Sequence, residues 1–214
     1  MRGFVLLGAP GSGKGTLASK LKDEWNVPHV STGDMFREAV KKSTPMGIKA
    51  SEFMKDGKLV PDDITIGVVD ERFSAPDVKK GFLLDGFPRT IPQAEALDKI
   101  LEKNKIKLTG VILLDVDEKV IVDRITGRRG CTKCGQIYHI RNFPPKKQDV
   151  CDKCGNPLMQ RRDDTEEVVM ERLDTYNKQT SPLINFYKKK NILVNIDATH
   201  TPDYMLEQVR SLNL

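Results

Sequence analysis

A glycine-rich loop between an apolar run and an amphipathic segment is the feature that most constrains the fold of this 214-residue chain. Gly3–Leu7 is an apolar run typical of a buried strand, and apolar residues from Lys14 to Trp25 recur at helical spacing. Residues 8–16 join the two with the sequence Gly-Ala-Pro-Gly-Ser-Gly-Lys-Gly-Thr. Glycines let backbone N–H groups turn toward phosphate oxygens, and the helix N-terminus adds its positive dipole end. A phosphate-binding loop is therefore predicted, with Lys14 reaching the β- and γ-phosphates.

The loop departs from the general P-loop pattern at one position. Gly15 stands where Ser or Thr usually follows the lysine, and Thr16 comes one residue later. A dinucleotide-binding loop is excluded because Thr16 occupies the place of its third glycine. A glycine-rich turn without a ligand remains the alternative. The residues expected to contact phosphate are Gly11, Ser12, Gly13, Lys14, Gly15 and Thr16.

Apolar runs and helical periodicity alternate along the rest of the chain. This alternation indicates an α/β fold with a parallel five-stranded sheet flanked by helices on both faces. Pro182 lies inside a long helical stripe that starts near Thr165, so it should kink or split that helix. Strands are predicted at 3–7, 28–31, 82–84, 111–116 and 192–196, and further helices at 14–25, 35–42, 46–56, 62–73, 92–102, 118–128 and 204–212.

An acidic residue ends the apolar run at positions 82–84. Asp85 follows Leu84 directly and precedes Gly86. A carboxylate at the end of a strand beside a phosphate loop commonly helps to hold the Mg²⁺ that accompanies the nucleotide. The sequence therefore predicts Mg²⁺ bound with a nucleotide near Asp85, with an ordinary turn residue as the alternative.

Two segments interrupt the alternation and are predicted to form appendages. The helices between Met35 and Phe73 follow one another without a strand, and residues 129–162 lose helical periodicity. Positions 124–162 hold ten Lys or Arg and two Asp, a net charge of +8, whereas the whole chain carries +5. The remainder is therefore at −3. This concentration of charge predicts an anionic ligand at the second appendage.

The same basic segment contains all four cysteines of the chain, in two copies of Cys-x-Lys-Cys that are separated by 16 residues and are each followed by Gly. This spacing falls in the range of four-cysteine zinc sites, and the glycines permit the turns that such sites need. Four thiolates complete a tetrahedron, so the metal should be structural. Zinc and iron both fit the spacing; disulfides, free thiols and a redox role are the alternatives. The expected ligands are Cys131, Cys134, Cys151 and Cys154.

Six motifs, in this order, resemble those of the adenylate kinase family along essentially the whole chain. The Lys-Gly-Thr ending of the phosphate loop is itself the form that this family uses. The motifs are GAPGSGKGT at 8–16, STGDMFR at 31–37, GKLVPD at 57–62, LLDGFPRT at 83–90, IVDRITGRR at 121–129 and RRDDTEE at 161–167.

The resemblance implies the reaction ATP + AMP ⇌ 2 ADP by direct in-line phosphoryl transfer, assisted by Mg²⁺. It also implies three parts of a P-loop kinase: a core, a helical AMP-binding insertion and a small, mobile, zinc-stapled lid. Lid closure would exclude water from the reaction. The core would comprise residues 1–30, 62–123 and 164–214, the AMP-binding part residues 31–61, and the lid residues 124–163.

The same resemblance assigns roles to individual residues. Arg37 and Arg89 would bind the AMP phosphate, and the amide of Gln93 would bind the adenine edge. The family's AMP site corresponds to Thr32, Arg37, Met54, Lys58, Val60, Gly86, Arg89, Gln93, Arg161 and Arg172. The catalytic residues implied are Lys14, Asp85, Arg89, Arg124, Arg128, Arg161 and Arg172.

Further ATP contacts are expected from the lid. Arg124 and Arg128 would join the phosphate loop, and Arg124 would also cover the ATP base. Tyr138 and His139 are candidate ATP contacts, with an ordinary surface histidine as the alternative for His139. Three smaller points follow from the family: Asp163 as a partner of the lid arginines, a cis Phe87–Pro88 bond, and a departure at Ala198, where many relatives carry Gly near the adenine.

Other functions stay open at this point. A related nucleoside monophosphate kinase with another acceptor, or one with GTP as donor, shares the same motifs. A P-loop switch with an RNA-binding zinc ribbon is the non-enzymatic alternative, but the basic segment offers only Tyr138 and Phe143 for base stacking. The expected partners are therefore ATP, AMP and ADP, with no nucleic acid and no membrane, and we expect a cytoplasmic monomer.

Overall fold

The computed structural model describes residues 2–212 and places a five-stranded parallel sheet at the centre of the chain. The strand order is β2-β3-β1-β4-β8, and every neighbouring pair is parallel. The strands are β1 (Arg2–Leu7), β2 (His29–Ser31), β3 (Gly81–Asp85), β4 (Gly110–Asp115) and β8 (Leu193–Asp197) in this sheet, with β5 (Arg128–Cys131), β6 (Ile137–His139) and β7 (Leu158–Met159) elsewhere.

Helices cover both faces of this sheet, as a parallel sheet requires. On one face Phe82 and Tyr187 belong to one buried apolar cluster, and on the other Phe4 and Leu17 belong to a second; all four are fully buried. The helices are α1 (Lys14–Trp25), α2 (Thr32–Lys41), α3 (Pro45–Lys55), α4 (Asp62–Phe73), α5 (Ile91–Lys103), α6 (Glu118–Thr126), α7 (Glu166–Thr175), α8 (Pro182–Lys189) and α9 (Pro202–Ser211).

The parallel strands bring several loops to one edge of the sheet. Val5 of β1 is paired with Leu84 of β3 and with Val111 of β4, so β1 and β3 end side by side. The glycine-rich loop follows β1, Asp85 ends β3, and β2 runs directly into α2. In parallel α/β sheets, ligands bind at this carboxyl edge. The fold therefore places the predicted phosphate loop and Asp85 together.

Two appendages flank this edge, as the sequence predicts. Helices α2, α3 and the start of α4 share a small apolar cluster that contains Phe36, Ala50 and Val60. Strands β5, β6 and β7 form a separate antiparallel sheet in the order β6-β5-β7. Strands were not predicted in this second appendage, because its short strands carry charged and glycine residues without an alternating apolar pattern.

The long C-terminal helix is split at the predicted place. A single π-helical turn, Tyr176–Thr180, separates α7 from α8, and Pro182 occupies the first turn of α8, where its missing N–H costs little. The prediction for Pro182 is thus confirmed. The largest boundary error is at α2, which begins at Thr32 because the Ser31 hydroxyl accepts from the Asp34 N–H and caps the helix. Within residues 2–212, no helix combines the length and apolarity that a membrane crossing requires.

Candidate active site and metal centre

The glycine-rich loop wraps around the amino group of Lys14. Lys14 Nζ donates to the carbonyl oxygens of Gly8 and Ala9, both at 2.7 Å. Gly13 precedes α1 with φ of 100°, in the left-handed region that favours glycine, and it provides no side-chain cap. The first N–H groups of α1 therefore remain available to an anion, as in other phosphate-binding helix N-termini.

Lys14 lies among other charged groups, and they shift its pKa. Burial disfavours the ammonium form and, together with the cationic Arg89, Arg172 and Arg128 and against the opposing effect of Asp85, lowers the pKa of Lys14 to about 8. The charged lysine is thus held beside three guanidinium groups with too few carboxylates to balance them. An anionic ligand would relieve this repulsion.

Asp85 faces the loop from the end of β3. Its Oδ2 lies 3.5 Å from His29 Nε2, and a Cβ added at Gly15 would lie 3.6 Å from the same oxygen. Although burial alone would raise the pKa of Asp85, the neighbouring His29 and Lys14 hold it below its usual value. Asp85 is therefore an ionised carboxylate next to the predicted phosphate site, with the oxygen chemistry that Mg²⁺ prefers.

Arg89 is fixed to the backbone beside Asp85. Its Nε donates to the Gly86 carbonyl at 2.8 Å, and the Phe87–Pro88 bond before it is cis, as expected. The same carbonyl accepts the Thr32 hydroxyl at 2.8 Å, which ties the start of α2 to this turn. Burial, together with the nearby Arg172, lowers the pKa of Arg89 to about 10, so the guanidinium stays charged at neutral pH.

Two adjacent aspartates hold the arginines of the second appendage and of α7. Arg172 Nη1 lies 3.1 Å from Asp163 Oδ2 and 3.6 Å from Asp164 Oδ1. Arg128 forms a bidentate ion pair with Asp164, whose side chain is fully buried. Asp163 was named from the sequence, but Asp164 was missed; the Asp-Asp pair in the motif at 161–167 was the available signal.

Two further arginines complete the cationic cluster. Burial, with Arg37 and Arg128 nearby, lowers the pKa of Arg161 to about 10. Arg37 is itself paired with the exposed Asp34 at 2.6 Å. Most of the arginines predicted to be catalytic thus lie within electrostatic reach of one another. A site built this way suits several negative charges at once, as on a chain of phosphates.

A cleft next to this cluster contains nearly all residues that the resemblance assigned to the AMP site; of those, only Arg161 does not line it. The buried Gln93 reaches the cleft wall, where its Oε1 accepts from the Arg89 backbone N–H at 2.7 Å and its Nε2 donates to Asp62 Oδ1 at 2.7 Å. The predicted residues that line the cleft are Thr32, Arg37, Met54, Lys58, Val60, Gly86, Arg89, Gln93 and Arg172.

Arg124 stands apart from the phosphate cluster. Its guanidinium donates to the carbonyl oxygens of Ala198 and Thr199, both at 2.7 Å, after the end of β8. Arg124 is also absent from the charges that shift the pKa of Lys14. Its position favours contact with a group near Ala198 rather than with the phosphates at Lys14.

Tyr138 and His139 are both buried inside the second appendage. The Tyr138 hydroxyl accepts from the Asp152 N–H at 2.9 Å and lies 3.6 Å from Cys151 Sγ. His139 Nδ1 accepts from the backbone N–H groups of Arg141 and Asn142, so Nε2 carries the proton and donates to the Asp123 carbonyl at 3.0 Å. The polar atoms of both side chains are thus already paired, within the appendage for Tyr138 and also with α6 for His139.

The four cysteines form a compact cluster at the tip of the second appendage. Their sulfur atoms lie within 4.8 Å of one another. Cys131 and Cys154 are 3.4 Å apart at sulfur, and Cys134 and Cys151 are 3.6 Å apart. These distances exceed the roughly 2.05 Å of a disulfide and approach the edge of about 3.8 Å expected for a tetrahedron with 2.3 Å zinc–sulfur bonds. The cluster can hold one metal ion.

Known proteins resemble this chain over nearly its full length. A family model described as Adenylate kinase matches residues 6–192. A protein named adenylate kinase from Carboxydothermus hydrogenoformans is 52% identical over 208 residues, which cover 97% of each chain. Proteins of the same name from Methanocella arvoryzae and Caldanaerobacter subterraneus are also 52% identical, over 97% and 96% of this chain and 96% and 93% of theirs.

Proposed function

Because the chain belongs to the adenylate kinase family, a family of phosphotransferases that catalyse ATP + AMP ⇌ 2 ADP, we propose that its reaction takes place where Lys14, Asp85 and the arginine cluster meet. The observation that carries this proposal is the convergence of Arg89, Arg128 and Arg172 on the phosphate loop. Phosphoryl transfer needs in-line positioning and neutralisation of charge more than covalent help, and this cluster supplies both.

Each charged group has a distinct part in the proposed reaction. Lys14 leaves the loop carbonyls of Gly8 and Ala9 and binds the β- and γ-phosphates of ATP. Arg128 and Arg172, held by Asp163 and Asp164, approach the phosphoryl group as it passes between nucleotides. Guanidinium groups suit this role because they are planar, always charged and able to bind two oxygens at once.

The acceptor occupies the neighbouring cleft. Arg37 and Arg89 bind the AMP phosphate, with Arg161 beside them, while Gln93 contacts the adenine edge. The hydrophobic walls of the cleft, Met54 and Val60 among them, enclose the base. Support comes from the placement of nine family positions on one cleft that opens onto the arginine cluster.

The donor base lies on the other side of the loop. Arg124, fixed by the carbonyl oxygens of Ala198 and Thr199, covers the adenine of ATP. Tyr138 and His139 serve as packing residues of the lid, since their polar atoms are already paired: the Tyr138 hydroxyl within the lid, and His139 Nε2 with the Asp123 carbonyl at the end of the core segment. Two parts of the chain move in this proposal, the AMP-binding part (residues 31–61) and the lid (residues 124–163). They move against the core, which comprises residues 1–30, 62–123 and 164–214. Closure of the lid excludes water, which would otherwise compete with AMP as acceptor.

Two metal ions complete the proposed assembly. Mg²⁺ arrives with ATP and neutralises phosphate charge, and Asp85 is the carboxylate that would help to hold it. A structural Zn²⁺ would be bound by Cys131, Cys134, Cys151 and Cys154, which offer four sulfur ligands and no open position for substrate. Cysteines that are not in disulfides suit a reducing compartment, so we place the protein in the cytoplasm. We also propose that it acts as a monomer.

A nucleotide panel tests this proposal. ADP formation is measured with ATP as donor and AMP, CMP, UMP or GMP as acceptor, and then with GTP as donor. We expect ATP and AMP to give the highest kcat/KM, with Arg37→Ala raising the KM for AMP far more than the KM for ATP. Preference for another acceptor, or for GTP as donor, would replace the proposed substrates. RNA binding by a protein that transfers no phosphoryl group would favour the non-enzymatic alternative, a P-loop switch.

A further inference from the structure

A partly buried hydrogen-bond network behind the acceptor cleft orients the amide of Gln93, a residue that is only 1% exposed. Gln93 Oε1 accepts from the Arg89 backbone N–H, and Gln93 Nε2 donates to Asp62 Oδ1, both at 2.7 Å. The other carboxylate oxygen, Asp62 Oδ2, accepts the Thr90 hydroxyl at 2.9 Å. Asp62 is the first residue of α4, and its carboxylate thus joins this helix to the N-terminus of α5, where Gln93 lies.

The two partners of this amide have fixed and opposite hydrogen-bonding character. A carboxylate can only accept a hydrogen bond, and a backbone N–H can only donate one. If the Gln93 amide turned over, its oxygen would face the Asp62 carboxylate and its NH₂ group would face the Arg89 N–H. Both partly buried pairs would then be mismatched, which would leave the buried Gln93 amide without a suitable partner on either side, an arrangement that folded proteins avoid. The network therefore permits a single orientation of the amide.

This orientation leaves defined capacity for a ligand. One hydrogen on Gln93 Nε2 and one lone pair on Oε1 remain unused. Adenine presents an acceptor at N1 beside the donor of its 6-amino group, which matches a free donor and a free acceptor on a fixed amide. Hypoxanthine presents the reverse, a donor at N1 beside a 6-oxo acceptor. A 6-oxopurine would require the amide to turn over.

We propose that Asp62 is a positioning residue that sets the base specificity of the acceptor site, by holding Gln93 in the orientation that matches adenine and rejects a 6-oxopurine. This inference rests on the proposed contact between Gln93 and the AMP base. Asp62 acts through Gln93, since it is not one of the described residues that line the cleft. A site built to pair with specific polar groups discriminates strongly against a ligand that presents the wrong ones.

The test compares Asp62 with its neighbour Asp63, which is exposed, carries the same charge and lies in the same first turn of α4. Asp62→Ala, Asp62→Asn, Asp63→Ala and Asp63→Asn are assayed with AMP and with IMP, which differs from AMP at this base edge. We expect Asp62→Ala to raise the KM for AMP with little change in kcat, and to lower the AMP-to-IMP ratio of kcat/KM about tenfold. Asp62→Asn should lower the ratio less, because its amide can still accept from Gln93.

Both Asp63 variants, and the KM for ATP in all four proteins, should match wild type. An AMP-to-IMP ratio that is equal in the Asp62 and Asp63 variants overturns the inference; if Asp62→Ala does not fold, the isosteric Asp62→Asn decides in the same way. Gln93→Ala separates this outcome from failure of the proposed site. If Gln93→Ala lowers the ratio and the Asp62 variants do not, only the role of Asp62 is wrong. If Gln93→Ala leaves the ratio and the AMP KM unchanged, the adenine contact itself is wrong.

Discussion

The edge of the sheet proposed to bind phosphate and the cysteine-bearing segment proposed as the lid are both rich in positive charge, but they are held together in different ways. The edge rests on buried strands, where Val5, Leu84 and Val111 have no exposed surface. In the lid, the described buried apolar cluster comprises only Cys131, Tyr138, Cys151 and Leu158. A segment with so little apolar surface needs another source of stability, which four thiolates and a metal ion can supply. The comparison separates groups proposed to carry out the reaction from groups that hold the proposed lid together.

Arg89→Ala should give the largest effect on the reaction. It removes a guanidinium that the Gly86 carbonyl holds where the two proposed nucleotide sites meet. An arginine that neutralises a transferring phosphoryl group contributes on the order of 10³–10⁵ in rate, and we expect kcat/KM to fall by about 10³ or more. Steady-state kinetics measure the loss, and the Tm should be close to wild type. A fall of less than tenfold would remove Arg89 from the site.

Asp164→Asn should affect both regions, because Asp164 joins Arg128 of the lid sheet to Arg172 of α7. Removing one partner of a buried ion pair costs about 3–5 kcal/mol, or roughly 6–20 °C in Tm for a chain of this size. Asp174→Asn is the matched control, since its pair with Lys178 is exposed and should contribute about 0–1 kcal/mol. Calorimetry of both variants decides; equal Tm values would mean that the buried pair does not stabilise the fold.

Cys134→Ser should lower the stability of the lid with a smaller effect on the reaction. Binding energy at a structural metal site becomes folding energy, so the variant should bind less zinc and melt at a lower temperature than wild type. ADP formation at low temperature should remain appreciable, because Cys134 contributes nothing to the phosphate cluster. Chelation should lower the Tm of wild type and leave that of Cys134→Ser nearly unchanged. A wild-type protein without bound metal would disprove the zinc assignment.

The smallest expected effect is on the pH profile. The pKa of Lys14 is lowered to about 8, so the lysine is charged below that pH and becomes neutral above it. The kcat/KM for ATP, which reports the free enzyme, should therefore fall as the pH rises through about 8. Bound phosphates favour the charged form, so kcat should fall only at higher pH. A kcat/KM that stays level to pH 10, or a Lys14→Arg variant with the same inflection, would contradict this assignment.

Sequence patterns predict the fold well where a local physical cause operates. The buried strand, the glycine loop and the helix from Lys14 are each set by neighbouring residues, and Pro182 splits its helix as expected. The small sheet of the lid was not predicted because its strands lack alternating apolar residues and pack on a small cluster of cysteine, tyrosine and leucine side chains.

The site was harder to predict wherever a residue acts through another. Asp62 and Asp164 look like ordinary surface carboxylates in the sequence, since one begins a helix and the other lies in a charged stretch. Only their partners, Gln93 and Arg128, distinguish them, and these lie 31 and 36 positions away along the chain. Such pairings depend on the tertiary fold, so local spacing carries no signal for them.

The rate of ADP formation by Lys14→Met, measured with ATP and AMP on protein of known zinc content, tests the separation of the two regions most directly. Lys14 pairs only with its own loop among the hydrogen bonds described, so its removal should leave the lid and the Tm intact. We expect zinc content and Tm equal to wild type, with a rate reduced by at least about 10³. A rate within tenfold of wild type would contradict the assignment of the reaction to the phosphate loop.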